Sequence, residues 1–427
     1  MRWLPTLFAA EAIPSAMITF VALLMFVQLG VGWGMSTLLC GLLTLPWVFK
    51  SFLREKVRRR GRFANVLRII ECGIFLCLVA LAFSFTIYNY RLWHVFGILF
   101  LLCFFCAWHE LAARMYYERM LHPQEQRLYN TPKMFFSQSS VVVTYGVMIL
   151  VVGMLEVFYH NRHQAVPLSW STAVYLLSGI YLLLVLFHLF VLRPPQVGDN
   201  RQNETLGAAV RAEVRTIDRI LHQPHWFAMV LCLFFLLLPQ SLMFHSRVLF
   251  LLASPSEGGL GCSLQWIALA QGTVGVLAFS FGLGYGHRLE RRRRVFSTMP
   301  SASVMLVLSP FVYWLMTQWP PQNLPLLCLA TFVAQATFGF GLNACIPYVR
   351  YISGERYRST INYLYIPLVA LVMLVPVSAS GWLVEQLGFT AIFALDAFMA
   401  VPALVAGFAG GRKLRSPSPT PPWGERS

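Results

Sequence analysis

Apolar and polar residues alternate along this chain in long blocks, not in the short periods of a soluble fold. Mostly apolar blocks lie near 4–29, 32–53, 69–88, 92–117, 135–158 and 171–192, and again near 224–251, 263–285, 298–318, 323–347, 361–385 and 388–410. About 20 such residues in a helix cross the hydrocarbon layer of a bilayer. Lipid offers no partner to backbone N–H and C=O groups, so a spanning segment must satisfy them internally, as a helix does. The pattern predicts an all-α polytopic membrane protein with twelve transmembrane helices. The first block starts almost at once and is too long for the apolar part of a cleavable signal, so it is expected to be the first span.

The polar segments between blocks are unequal in charge. With the N-terminus placed inside, alternate segments and their adjoining helix ends hold Arg2, Lys50–Arg68, Arg114–Lys133, Arg193–Arg219, Arg288–Arg294, Arg350–Arg358 and Arg412–Arg426. Only Arg91, Arg162 and Arg247, of 33 Lys and Arg, fall on the opposite side. Cytoplasmic loops carry such an excess of basic residues. An odd number of helices in either half would scramble it, so the asymmetry favours an even count with both termini cytoplasmic.

Composition agrees. The chain of 427 residues is 57% hydrophobic and 12% charged, with mean hydropathy +0.63; a soluble domain carries roughly a quarter charged residues. The net charge of +16 is spread over short loops, which argues against nucleic acid as a partner. Eight cysteines (Cys40, Cys72, Cys77, Cys103, Cys106, Cys232, Cys328 and Cys345) lie in apolar blocks and Cys262 flanks one. They read as small buried hydrophobes, not a disulfide framework.

The longest polar stretch divides the chain into a six-helix bundle over 1–192, a cytoplasmic linker over 193–222, a second bundle over 223–411 and a disordered basic, Pro-rich tail over 412–427. The linker opens with Arg193-Pro194-Pro195, and its Ala208–Leu221 portion is expected to form a short surface helix. Each half has its densest basic cluster after its second helix, Lys50–Arg68 and Arg288–Arg294, with Gly41 and Gly272 at comparable places before them. Two six-helix halves related by an internal repeat commonly enclose a solute site near the midplane.

Three stretches carry a family resemblance. Leu45-Pro46-Trp47-Val48-Phe49-Lys50 ends the second helix, Leu121-His122-Pro123-Gln124-Glu125-Gln126-Arg127 follows the fourth, and Ser380-Gly381-Trp382-Leu383-Val384-Glu385-Gln386-Leu387-Gly388-Phe389 joins the last two. They resemble the corresponding stretches of major facilitator superfamily transporters, in the branch of AmpG-type muropeptide permeases and acetyl-coenzyme A transporters. The resemblance implies the major facilitator fold, residence in the bacterial inner membrane and proton-coupled transport by a monomer. It raises peptidoglycan fragments (muropeptides), other peptides or acyl conjugates, and siderophores as solutes. It also implies cytoplasmic gating loops at Lys50, Arg54 and Glu55 and at Arg288 and Glu290. Here the sequence departs from the pattern: Glu55 and Glu290 stand in for the acid that the family places as Asp after its second helix.

Ionisable groups inside apolar spans are costly and so are functional candidates. The resemblance implies that helices one, four, seven and ten line a central cavity. Glu11 lies about 10 Å inside the first helix at 1.5 Å per residue, and His109, Glu110 and Arg114 lie at similar depth on the fourth. Two acids, a histidine and a guanidinium are therefore expected to meet in the inner half of the cavity. The structural alternative is an Arg114–Glu110 pair, four residues apart, at a helix end. Helix seven adds Gln240 and His245, with Arg247 at the outer rim, and helix ten adds Gln335 and Asn343. Glu71, Glu156 and His188 read as structural. Cys103, Cys106 and His109 share one helix face at a spacing that suits zinc ligands, but without a fourth partner; no metal and no cofactor is expected.

No Gly-Lys-Ser/Thr nucleotide loop is present. The rival readings are a membrane-embedded acyltransferase using His109 with Glu110 as acid and base, and a non-transporting sensor. Neither accounts for the matched halves, so the chain is not expected to be an enzyme.

Overall fold

The computed structural model describes residues 3–50, 63–87, 92–192, 226–292, 295–342 and 345–413, with single positions between 211 and 222. The side chains of 290–300 and 343–367, and of scattered further positions, lie outside that description. The described chain forms helices in the order α1 (Trp3–Gln28), α2 (Trp33–Val48), α3 (Phe63–Ser84), α4 (Leu92–Met120), α5 (Pro132–Phe158) and α6 (Ala165–Val191). These are followed by α7 (Trp226–Leu252), α8 (Leu264–Leu289), α9 (Ser301–Gln318), α10 (Leu324–Leu342) and α11 (Cys345–Lys413).

Among the described residues nine helices are long and apolar enough to cross a membrane, and α2 and the Leu237–Leu252 part of α7 are shorter apolar helices. The difference from the twelve expected spans has two sources: the described apolar parts of α2 and α7 are short, and α11 takes the last two expected blocks into one helical run. Gly388 within it has φ +77°, the left-handed conformation in which helices commonly end. The outward faces match a lipid solvent: Phe158, Phe190 and Val375 are 74%, 86% and 71% exposed, far more apolar exposure than water tolerates in contiguous patches.

The chain divides into two compact units, Met1–Arg215 with Ser263–Thr273, and Thr216–Cys262 with Val274–Ser427. In the first, the buried Trp3 and Tyr116 rings meet edge to face at 5.1 Å and Phe8 meets Tyr117 at 5.7 Å, fixing α1 against α4. Tyr181 of α6 donates to the carbonyl oxygen of Ala10, and Trp170 donates its indole N–H to Gln28 at 2.9 Å. Three helices loosen into π-helical turns, at Met17–Val21, Val142–Val147 and Ala268–Gly275, a form often found at functional positions. Phe20 stacks on Tyr145 at 5.2 Å where the first two meet.

In the second unit Phe250, Phe389, Phe393 and Tyr313 form one aromatic cluster with centroids 5.4–5.6 Å apart along its main contacts. The crossing of α8 with α10 has glycine on both sides. A Cβ on Gly282 would strike the carbonyl oxygen of Ala336, and one on Gly339 that of Phe279. Small residues of this kind let helix backbones approach closely where no hydrophobic effect drives packing.

Candidate functional site

The site in the first unit is assembled at the end of α2. A turn at Leu43 and Thr44, closed by the Thr44 hydroxyl donating to the Gly41 carbonyl at 2.7 Å, lets Pro46 begin a new helical turn. Trp47 and Lys50, three residues apart, then share a face. That face meets Glu110 of α4. The Trp47 indole N–H donates to Oε2 at 3.1 Å and Lys50 Nζ donates to Oε1 at 2.5 Å. Lys50 is 4% exposed in its side chain and Glu110 17%, so the ion pair is largely withdrawn from solvent.

Glu11 is half-buried on α1 and lies within electrostatic reach of Glu110, Lys133, His109 and Lys50. Lys133 stands 4.5 Å above the Phe8 ring and 5.4 Å from the Tyr117 ring, a cation–π arrangement. Two carboxylates, two ammonium groups and three aromatic rings thus belong to one region of α1, α2, α4 and the start of α5. Such a set offers charge-assisted hydrogen bonds and stacking faces to a polar solute, and exchangeable protons.

Of the four groups expected to meet, Glu11 and Glu110 share this region and the other two turn elsewhere. Arg114 donates to Glu118 at 3.1 Å, with side chains 29% and 41% exposed, and Glu110 is taken by Trp47 and Lys50 instead. Successive helical residues point about 100° apart, so His109 leaves the Glu110 face. Its Nε2 meets Glu71 of α3 at 3.1 Å, and His188 Nδ1 of α6 meets the same carboxylate oxygen at 2.7 Å. All three side chains are 0% exposed. Cys103 donates its thiol to the Leu43 carbonyl oxygen at 2.6 Å, away from His109, and among the described residues no three His, Cys, Asp or Glu side chains are placed to hold a metal.

Arg54, Glu55 and Asn343, and the side chain of Glu290, lie outside the described residues; Arg288 is exposed on α8. In the second unit Gln240 is buried and donates to the Leu306 carbonyl at 3.0 Å, its own oxygen meeting no partner among the described residues. His245 and Gln335 are buried as well. Arg247, expected at a rim, is also buried, its guanidinium carbon 5.2 Å from the Phe244 ring centre and its Nε without a partner among the described residues.

The residues that sequence reasoning did not single out are Trp47 and Lys133, while Glu71 and His188 were read as structural, without the link to His109. The spacing of Trp47 and Lys50 was a usable signal, because it places both on one helical face. The pairing of Glu71 and His188 with His109 joins three separate helices and leaves no mark in the local sequence.

No family model and no curated protein sequence matches the chain. Solved structures do. A variant of the nucleoside transporter NupG is 15% identical with TM-score 0.68, covering 96% of this chain and 98% of that one. The inward-open xylose transporter XylE from E. coli is 11% identical with TM-score 0.65, covering 94% and 93%. A bacterial homolog of the human lysosomal transporter Spinster, inward-facing and unoccupied, is 13% identical with TM-score 0.68, covering 96% of each chain. These are major-facilitator-type structures, and at such identities the likeness is one of fold.

Proposed function

We propose that this chain is a secondary active transporter that moves a small solute across the inner membrane by alternating access, coupled to protons. The observation that carries the reading is the Lys50–Glu110–Trp47 arrangement beside Glu11 and Lys133. Charged groups within apolar spans are expensive to maintain, and they mark solute and proton routes in membrane proteins. The end-to-end likeness in fold to transporters of nucleosides and xylose supports the same reading. In it, twelve spans place both termini in the cytoplasm, as the basic loops require. Glu11 and Glu110 are the ionisable groups of the route, with Lys50 and Lys133 as their counter-charges. Gln240, His245, Gln335 and Asn343 serve the solute from the second half.

The resemblance of the Leu45–Lys50 and Ser380–Phe389 stretches to AmpG-type permeases makes a muropeptide the first solute to test, followed by other peptides, acyl conjugates and siderophores. The experiment is uptake of a labelled anhydro-muropeptide into proteoliposomes of the purified protein, with and without an acidic exterior. Gradient-driven accumulation that Glu110→Gln abolishes is the expected result. No uptake by folded protein discards muropeptides, and failure across the whole solute panel discards transport.

A further inference from the structure

Away from the Glu110 face, the first unit buries a second charged group of side chains. Glu71 of α3, His109 of α4 and His188 of α6 are each 0% exposed, and both imidazoles turn a nitrogen to the same oxygen, Glu71 Oε1. Against an ionised carboxylate, which only accepts, each ring donates an N–H. Three polar atoms are then left without partners among the described residues, Glu71 Oε2, His109 Nδ1 and His188 Nε2, and each carries a free lone pair. With protons only on the two donating nitrogens, the cluster holds one net negative charge away from water.

The surrounding groups do not offset that charge. From α3, Arg68 directs its guanidinium to the carbonyl oxygens of His188 and Leu192, not to Glu71, and Cys72 lies one residue beyond Glu71. From α6, the buried Tyr181 is within electrostatic range of Glu71 and Cys72 and donates to the Ala10 carbonyl. From α4, Cys106 is buried nearby, and from α1, Glu11 is within range of His109 and, as a carboxyl group, supplies no positive charge. A buried charge persists only when paired or neutralised. One more proton, on any of the three vacant lone pairs, makes the cluster neutral.

We propose that Glu71, His109 and His188 form a buried proton-binding site, which takes up and releases one proton as a unit. Three groups that share an oxygen titrate together and not as separate residues. The site is separate from the Lys50–Glu110 pair, yet α4 carries both, since His109 and Glu110 are neighbours in the chain. The inference rests on the geometry of the first unit alone and does not depend on the transport reading.

The test is magnetic resonance of the full-length protein in lipid nanodiscs, labelled with ¹⁵N at histidine, from mildly acidic to alkaline pH. Ring-nitrogen shifts separate imidazolium from each neutral tautomer, and the infrared C=O band reports a protonated carboxyl. His109→Asn and His188→Asn assign the signals. The expected result is one proton beyond the two donating N–H groups in the wild type, lost on raising the pH and missing in Glu71→Gln. The proposal is overturned if both rings stay neutral with Glu71 ionised throughout, or if Glu71→Gln leaves the extra proton in place. Should Glu71→Gln fail to fold, Glu71→Asp keeps the charge and must shift the titration midpoint; an unchanged midpoint overturns the proposal equally. No solute flux enters this measurement, so its failure leaves the transport reading intact and the reverse also holds.

Discussion

His109 and Glu110 are consecutive residues of α4 that serve two different sets of partners: His109 Nε2 lies 3.1 Å from Glu71, and Glu110 Oε1 lies 2.5 Å from Lys50 Nζ. A single helix therefore contributes to both of these clusters, with the two side chains turned to different neighbouring helices. Any movement of α4 must strain both sets of contacts.

Breaking the Lys50–Glu110 pair from one side should cost more than removing it altogether. A buried ion pair that loses one partner leaves an uncompensated charge, at about 3–5 kcal/mol. The partial exposure of Glu110 places this pair toward the lower end of that range. Lys50→Met alone is expected to destabilise strongly, and Lys50→Met with Glu110→Gln to recover much of the loss. Trp47→Phe keeps the ring but removes the donor, with an expected cost of about 1–2 kcal/mol. Denaturant unfolding of the purified variants in micelles, arranged as a double-mutant cycle, gives the coupling energy. Strictly additive losses would mean that the pair contributes nothing as a pair.

Glycine at the α5–α8 crossing of the first unit should be irreplaceable by alanine. A Cβ on Gly272 would strike the Tyr145 carbonyl oxygen and come 2.6 Å from Gly146 Cα, and a Cβ on Gly146 would come 2.7 Å from Thr273 Oγ1. Backbone atoms cannot step aside as a flexible side chain can, so Gly272→Ala should cost about 1–3 kcal/mol by overpacking. Gly179, where an added Cβ would meet nothing within 4 Å, is the control; Gly179→Ala should leave the melting temperature unchanged or slightly raised. Equal melting temperatures for the wild type and both variants would remove the close crossing as a determinant of stability.

How far the sequence foretold this structure depends on the range of the interaction. The helices were legible because a bilayer demands long apolar runs, and residues 63–84 or 165–191 contain little else. The stretch Ser380–Phe389 was expected to join two spans, whereas α11 runs through it as helix and only the positive φ of Gly388 marks the place. The partners of α4 were not legible. Helical periodicity places His109 and Glu110 on different faces, yet only the tertiary arrangement brings Glu71 and His188, 38 positions before and 79 positions after His109, to one of those faces. The alternative to the expected meeting of the four groups had Arg114 return to Glu110 across four residues, but Glu118 is available at the same spacing in the other direction, and Lys50 and Trp47 already occupy Glu110. Nothing in the local sequence ranks those alternatives.

Cys262 offers a pH-dependent test of both its surroundings and its side of the membrane. It lies in the segment between α7 and α8, where its backbone N–H donates to the Leu251 carbonyl at 2.7 Å, and burial pushes its thiol up to about 11. The thiolate is the reactive form. Alkylation of a protein retaining only this cysteine should therefore be slow at neutral pH and rise about tenfold per pH unit toward that value. In the proposed orientation, with both termini cytoplasmic, this segment lies on the outer face, so a membrane-impermeant maleimide should label right-side-out vesicles and spare inside-out ones. Fast labelling at neutral pH would contradict the burial, and the reverse sidedness would contradict the orientation.

Asp396 gives the sharpest stability prediction in the second unit. It is 0% exposed on α11, three residues beyond Phe393 of the aromatic cluster, and neither carboxylate oxygen has a partner among the described residues. An ionised carboxylate in that position is costly, and a neutral group of the same shape avoids the cost of burying charge. Asp396→Asn is therefore expected to raise the unfolding free energy by about 1 kcal/mol or more. Asp396→Lys places a longer side chain with an ammonium group in the same buried position and should prevent accumulation of folded protein. Thermal unfolding in micelles separates the cases. A loss of stability in Asp396→Asn would mean that the carboxylate is met by a group beyond the described residues, and would move Asp396 from a tolerated burden to a working contact of the second unit.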